Sequence, residues 1–493
     1  MAFVGLDIGT CNCCCYVAFK TAPPELISSQ LGHHLTPSMV AYTPKEILVG
    51  EMAQQQQGSN PNYTFYEFKR VLGRKFDEAG LSKDAKHWPF QLTRHADGTP
   101  QYVALHQNKP LLLNATQLYE QLAQHMTQLV RQHTKNEPVA SLVVTVPAHF
   151  DHNQRRETLQ VLKNTHVATH VHVCNEPTAA AAAYAEKYDN LMQVDERVLV
   201  FDLGAGTLDV TILNRDADGT FAILGSQGVS DLGGADFDRH LLHHYSQFYK
   251  KQTHANLNQH KTRLVAARQA CEQAKKILSL SQEATVALPD VPVWTVTREQ
   301  FNQWLGNELE RCSAVVQATL ALTTHTTIQH LILVGGSSRV PAVQALLQAL
   351  FPSSTVHKSI NVDECVALGA CYLARALHQN TEAQPHERLS QSLGLRTMTN
   401  TMHVLIPANT PLPASVVQTL YPQHERQKTV EIALFQGDNA CTDHNALVGS
   451  VKMTGMRPGQ PPVQLRVHIN AGGMIDVVVQ DDKGRTVEST IHI

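Results

Sequence analysis

Along most of the chain, short apolar runs alternate with stretches in which apolar residues recur at helical spacing. Leu142-Val143-Val144-Thr145-Val146 and Leu331-Ile332-Leu333-Val334 read as buried strands. Leu118, Leu122, Met126, Leu129 and Val130 share one helix face, and Leu264, Ala267, Cys271, Ala274 and Leu278 share another. Phe301, Leu305, Leu309 and Cys312 are expected on a third. A helix is expected after Pro147, through Arg155 to Lys163, and another opening at Pro341, whose fixed φ suits a first helical turn. Strands alternating with helices predict α/β lobes. The stretch 379–392 is polar and aperiodic, and reads as a linker between residues 1–378 and 393–493. Beyond it the period shortens to two. Val430 to Leu434, Gln464 to Ile469 and Ile475 to Val479 alternate, with turn residues at Asn470 to Gly473 and Asp481 to Gly484, which predicts a β-sandwich. The chain is expected to end at Ile493 on a strand, with no helical tail.

One pattern occurs twice. Phe3 to Thr10 and Val198 to Thr207 each run from apolar residues to Asp, a glycine turn and Thr. So distant a repeat suggests two similar lobes rather than a solenoid. The 493 residues are 43% hydrophobic, enough for several cores, which excludes a wholly disordered chain. Forty basic residues against 43 acidic ones leave a net charge of −3, with no basic excess for a nucleic-acid backbone. No apolar run is long enough to span a membrane, and the N-terminus lacks a signal peptide's basic start. Ten cysteines, four of them crowded at Cys11, Cys13, Cys14 and Cys15, form no disulfide framework and suit a reducing cytoplasm. The 27 histidines show no ligand spacing and read as surface residues, the pairs His33-His34 and His243-His244 included.

Three glycine turns follow strands, at Gly9, at Gly204 to Gly206 and at Gly335 to Gly336. Glycine lets backbone N–H groups approach phosphate oxygens. Each turn alone is weak evidence, but two matching Asp-x-Gly turns in separate lobes could clamp a polyphosphate. Asp7 and Asp202 would then face Mg²⁺, which takes one or two carboxylates and keeps waters.

The ordered motifs resemble the heat-shock protein 70 chaperone family over nearly the whole chain. They are Asp7 to Thr10, Val146-Pro147-Ala148-His149-Phe150, Asn175 to Ala181, Phe201 to Val210 and Leu333 to Pro341. Tyr66 to Arg70 with Gly73 to Asp77, Leu232 to Asp238 and Ala270 to Lys275 add further matches. The resemblance implies an actin-like, two-lobed ATPase domain with ribonuclease H-like halves, followed by a peptide-binding sandwich. It implies that Asp7, Asp202 and Asp209 organise Mg²⁺ and K⁺, largely through water. Lys69 would contact the γ-phosphate, Glu176 and Thr207 would position the attacking water and the phosphate, and Asp202 would accept its proton. Such chemistry needs positioning and charge neutralisation more than covalent help.

ATP would lie against Gly9, Thr10, Cys11, Gly204, Ala205, Gly206, Gly233 and Gly234, with Glu272, Lys275, Lys276 and Ser279 on one wall of the nucleoside end. Gly335, Gly336, Ser337, Arg339 and Asp363 form the other. Lys276 stands where the family usually has Arg, so weaker nucleotide binding is expected, since ammonium does not stack on adenine. In the sandwich, Met398, Thr401, Leu420, Gln423, Val430 and Ile432 match pocket and arch positions for an extended peptide, although Val430 and Ile432 equally suit plain core. Pro147 and Arg155 match relay positions between the domains.

The chain departs from the family in four places. Its linker has one leucine, at Glu387-Arg388-Leu389-Ser390-Gln391-Ser392, and shows no docking strand. The helical lid after the sandwich is expected to be absent, so peptides should leave faster. His172 stands where J-domain docking usually meets a basic residue. The Cys11 to Cys15 stretch is either a buried strand of small side chains or a redox or metal switch, and alternating faces favour the strand. The expected function is an ATP-dependent chaperone for extended hydrophobic segments, a cytoplasmic monomer with unfolded clients and with a J-domain cochaperone and an exchange factor as further partners. The alternatives are a nucleotide-binding scaffold with a fixed docking module, and a small-molecule kinase on the same fold.

Overall fold

The computed structural model describes residues 1–493 other than 21, 79–80, 82–84, 86, 189–192, 217–220, 324–326, 380–386, 422–426, 457–461 and 491–493. Two sheets of like topology organise residues 1–378. The first runs Ala168–Asn175, Val139–Val146, Ala2–Ile8, Asn12–Phe19, Glu25–Leu26; the second runs Thr355–His357, His330–Val334, Arg197–Leu203, Leu208–Arg215, Phe221–Val229. In each, the strand that opens the lobe pairs parallel with a later strand on one side and antiparallel with its hairpin partner on the other. The predicted duplication is therefore one of topology as well as of motif.

The helices Glu176–Tyr188 and Cys365–His378 pack together between the sheets. The alanine run is small because backbones meet there: a Cβ on Gly369 would stand 1.6 Å from the Ala179 carbonyl oxygen. Phe3, Val143, Val198, Val200 and Ile332 close this shared core from both sheets. The predicted helices are present as Ala115–His133, His152–Asn164, Lys261–Leu280 and Pro341–Leu350. The face through Phe301 and Cys312 belongs to two abutting helices, Arg298–Trp304 and Gly306–Ala321, not one. They meet at Leu305, beside a glycine, the weakest ordinary helix former.

Beyond the linker, eight strands between Leu393 and Thr490 form two sheets, as a sandwich requires. One sheet is Met402–Ile406, Leu393–Arg396, Thr429–Gln436, Ala446–Thr454; the other is Ala414–Leu420, Val463–Ile469, Ile475–Gln480, Thr486–Thr490. Strand Val463–Ile469 alternates strictly between buried and exposed positions, the signature of one covered face. The expected ending at Ile493 lies outside the described residues, as does the linker's 380–386.

The end of the linker is docked rather than free. Glu387 is buried, and its carboxylate accepts from the Asn175 backbone N–H at 2.9 Å and from the Asn175 side chain. Leu389 is buried in the sandwich core and pairs its backbone with Asn409 and Thr410. Arg388 donates to the Ile223 and Asn409 carbonyls. Around it, the His152 N–H donates to Gln436 at 2.8 Å, Asn153 to the Leu447 carbonyl at 2.9 Å, and Asn409 to the Leu224 carbonyl at 3.3 Å. The sandwich thus rests on both lobes.

Candidate active site

A cavity of about 850 Å³ opens between the lobes. Its floor is the pair of hairpin turns. Each closes with the same hydrogen bond, Gly9 N–H to the Asn12 carbonyl at 3.0 Å and Gly204 N–H to the Thr207 carbonyl at 3.1 Å. The turns face each other closely: a Cβ on Gly206 would stand 3.1 Å from the Thr10 side chain and 2.8 Å from Arg70 Nε. Gly335, at φ 75°, brings the third turn against them, since a Cβ there would lie 2.4 Å from the Leu203 carbonyl oxygen. Ser337 Oγ donates to the Gly204 carbonyl at 2.8 Å.

Of the residues expected at the nucleotide, Gly9, Thr10, Cys11, Gly204, Ala205, Glu272, Lys275, Lys276, Ser279, Gly335, Gly336, Ser337, Arg339 and Asp363 line this cavity. Gly206, Gly233 and Gly234 do not. They support the walls: Gly233 packs on Ala205, where its Cβ would come within 2.5 Å, and Gly234 packs on Ser337. Lys275 is tied to Asp238 at 2.8 Å. Lys276 is more exposed and pairs with Glu272 at 2.7 Å. Arg339 pairs with Asp363 at the other wall.

Asp7, Lys69, Glu176, Asp202 and Thr207 line the deep end. Lys69 Nζ lies 2.9 Å from Glu176 Oε1, both buried. Asp7 takes a hydrogen bond from Thr145 Oγ1 at 3.0 Å. Burial, then Glu176, Asp209 and Asp7, holds the Asp202 carboxyl well above the usual carboxylate range. Burial also raises Asp7 and Glu176, against the pull of Lys69. For Lys69, burial works against the ammonium, but Glu176 and Asp7 outweigh it and raise the pKa. Asp209 stands opposite Asp202 in the strand pair, fully buried and outside the cavity lining. Its Oδ1 meets His149 Nδ1 at 3.1 Å, and its Oδ2 has no protein partner.

This donor set suits a hydrated divalent cation beside a polyphosphate. Acids that raise one another's pKa would be relieved by it, and among the described residues no three His, Cys, Asp or Glu side chains converge as direct ligands. Asp7, Asp202 and Asp209 would hold it through water. When bound, it neutralises phosphate charge.

Several contributors escaped the sequence. Arg70, quoted only within its motif, crosses the cleft to the Gly206 carbonyl at 3.2 Å and Asp236 at 3.1 Å. Glu67 pairs with Arg268 across the same gap and accepts from Trp88 at 3.1 Å. Burial alone would raise Glu67, but Arg268 and Arg70 pull it down to about 2. The histidines are not all surface residues. His330 is buried, His149 reaches Asp209, and His152 is enclosed at the domain junction, where burial and the neighbouring arginines bring it down to about 4. Solvent-like scatter in the sequence hid them because burial is not readable from a lone polar residue.

The cysteine stretch takes the bland form. Cys13, Cys14 and Cys15 are buried in the hairpin strand. Burial pushes Cys11 and Cys13 up to about 12 and holds Cys14 and Cys15 well above the ordinary value, so little reactive thiolate forms.

The family model described as Hsp70 protein matches residues 3–493. The chain belongs to the Hsp70 family. It is an ATP-dependent chaperone and an ATPase, with ATP and Mg²⁺ as its nucleotide and cation and client polypeptides as its partners. It is 32% identical to heat shock cognate 70 kDa protein 3 of Dictyostelium discoideum over 507 residues, covering 99% of this chain and 79% of that one. It is 31% identical to the heat shock 70 kDa protein of Neurospora crassa (99% and 77% covered) and 31% identical to a ribosome-associated molecular chaperone of Zygosaccharomyces rouxii (99% and 81% covered). In this Hsp70 chain Arg155 donates to the Ala148 and Phe150 carbonyls at 2.9 and 3.0 Å and to Asn175 at 2.6 Å. Pro147 is buried at the head of that turn.

The sandwich residues divide. Ile432 is core, while Leu420 and Val430 are half-buried at its margin. Met398 is 84% exposed, Thr401 is exposed, and Gln423 lies outside the described residues. No helix among the described residues is long and apolar enough to cross a membrane.

Proposed function

We propose that hydrolysis in this cleft sets how tightly the sandwich holds an extended hydrophobic segment, and that the end of the linker carries the signal. The observation that carries the reading is the junction at Asn175. Its backbone and side chain hold linker Glu387, and the next residue, Glu176, holds Lys69. Arg155 braces Asn175 from the other side. A change in the Lys69 to Glu176 pair at phosphate release would therefore press on the linker through one peptide unit. An allosteric link needs an element that both sites bias, and Asn175 joins cleft residue Glu176 to linker residue Glu387.

Within this reading Lys69 steadies the γ-phosphate, Glu176 and Thr207 place the water, and Asp202, which lines the same cavity, takes the proton. Asp7, Asp202 and Asp209 would hold K⁺ as well as Mg²⁺, through water. Leu420, Val430, Met398 and Thr401 border the peptide, with Ile432 beneath them. Residues 1–378 and 393–493 are the working domains, in the cytoplasm, with a J-domain cochaperone and an exchange factor as further partners.

The test is the release rate of a fluorescent leucine-rich extended peptide in ATP and in ADP, from the wild-type chain, Lys69→Ala and Glu387→Ala. Release should be faster in ATP for wild type and stay fast in Lys69→Ala, which binds ATP but hydrolyses it roughly a hundredfold more slowly. Glu387→Ala should lose the nucleotide dependence. Equal release in both nucleotides from a wild-type chain that hydrolyses ATP would sink the coupling and leave a scaffold with a fixed docking module.

A further inference from the structure

We infer that His149 is a positioning residue of the hydrolytic site, holding Asp209 in orientation through its Nδ1–H across the lobe boundary, in a slot kept open by Gly228. The inference rests on the ATPase reading of the cleft. His149 lies in the turn between strand Val139–Val146 and helix His152–Asn164 of the first lobe, whereas Asp209 and Gly228 lie on neighbouring strands of the second. A carboxylate only accepts hydrogen bonds, so the 3.1 Å contact puts the proton on Nδ1. The contact occupies Asp209 Oδ1 and leaves the buried Oδ2 without a protein partner, the oxygen that would meet a water of the cation.

Gly228 stands directly across from Asp209 in the strand pair. A Cβ at Gly228 would lie 2.5 Å from Asp209 Oδ1 and 2.8 Å from His149 Nδ1. The glycine thus leaves the room that the pair fills. The turn carrying His149 is itself fixed, because Arg155 holds the carbonyls on both sides of it, Ala148 and Phe150. The strand carrying Gly228 also presents the Ile223 and Leu224 carbonyls that Arg388 and Asn409 grip. Asp209 is therefore aligned by the turn that Arg155 braces and by the strand that Arg388 and Asn409 grip.

The experiment uses the full chain as wild type, His149→Phe, His149→Asn and Gly228→Ala. Phe keeps the ring and loses the donor. Asn can place its amide N–H where Nδ1–H stands. Two quantities are read: single-turnover ATP hydrolysis, and the Mg²⁺ concentration that half-maximally slows release of a fluorescent ADP. Residues that orient a metal's ligands commonly contribute about 10–100-fold to metal affinity or rate. His149→Phe should slow hydrolysis and raise the Mg²⁺ requirement by about tenfold or more. Asn should recover most of both, and Gly228→Ala should reproduce the Phe defect. An unchanged Mg²⁺ requirement in His149→Phe, or an Asn variant as impaired as Phe, overturns the inference. If Phe does not fold, the contrast between Asn and Gly228→Ala decides it: wild-type behaviour of Gly228→Ala overturns it. A wild-type chain that does not hydrolyse ATP would defeat the reading of the cleft, while the Mg²⁺ requirement for ADP retention would still judge His149.

Discussion

The hairpins that open the two lobes share a register and differ in what it brings together. In the first, Asp7 stands opposite Cys14; in the second, Asp202 stands opposite Asp209. The same backbone therefore carries unequal charge. In lobe one the neighbour is a thiol that burial keeps protonated, and Asp7 is eased by Thr145 and Lys69. In lobe two it is a second carboxylate, and Asp202 bears the strain of Glu176, Asp209 and Asp7 together. Lobe one answers with side chains from residues 67–70, which send Arg70 to Asp236 and Glu67 to Arg268. Topology thus decides where a cation can sit, and side-chain asymmetry decides which lobe collects the negative charge.

The largest expected effect comes from erasing the difference. Cys14→Asp would bury an unpaired carboxylate beside Asp7, at a cost of about 3–5 kcal/mol in urea unfolding at pH 7. Burial would raise the new group's folded pKa above its unfolded value, so the loss should shrink as pH falls below that raised value. Wild-type stability at pH 7 would show that the first hairpin tolerates charge as the second does. A smaller effect lies in the cross-cleft answer from lobe one. Glu67 is held at about 2 against an ordinary 4.5, so its pairing stabilises the fold above pH 4.5 and is lost as pH falls toward 2. Glu67→Gln should cost about 3 kcal/mol at pH 7, with the gap to wild type narrowing below pH 4.5. A gap independent of pH would detach that stability from the Glu67 charge. The smallest effect concerns the nucleoside end, which only lobe two supplies with a flanking cation from helix Lys261–Leu280. Lys276→Arg should tighten ATP by about two- to fivefold through stacking, read by calorimetry, while weaker binding would remove Lys276 from the adenine face.

Much of this was legible in advance. The two Asp-x-Gly turns, the strand runs at 142–146 and 331–334 and the alternation after Leu393 carry strong local signals, because period and turn chemistry act over a few residues. The deep-site set of Asp7, Lys69, Glu176, Asp202 and Thr207 converges as the motifs indicated. The linker is different. Its single leucine shows no docking strand, yet Glu387 and Leu389 are both buried, since one acid and one leucine suffice where partners wait on two domains. Gly233 and Gly234 belong to the motif but serve the wall behind the site. Nothing local separates a glycine that meets phosphate from one that meets a neighbouring turn.

The elements, the duplication of the lobes, the change to a sandwich and the chemistry of the turns follow from spacing and residue type along the chain. Folding in three dimensions is what puts Cys14 and Asp209 in equivalent places, sends Arg70 and Glu67 across the cleft, and brings His149 to Asp209. Each of these joins residues far apart in the chain, and their charge states depend on the water that packing removes.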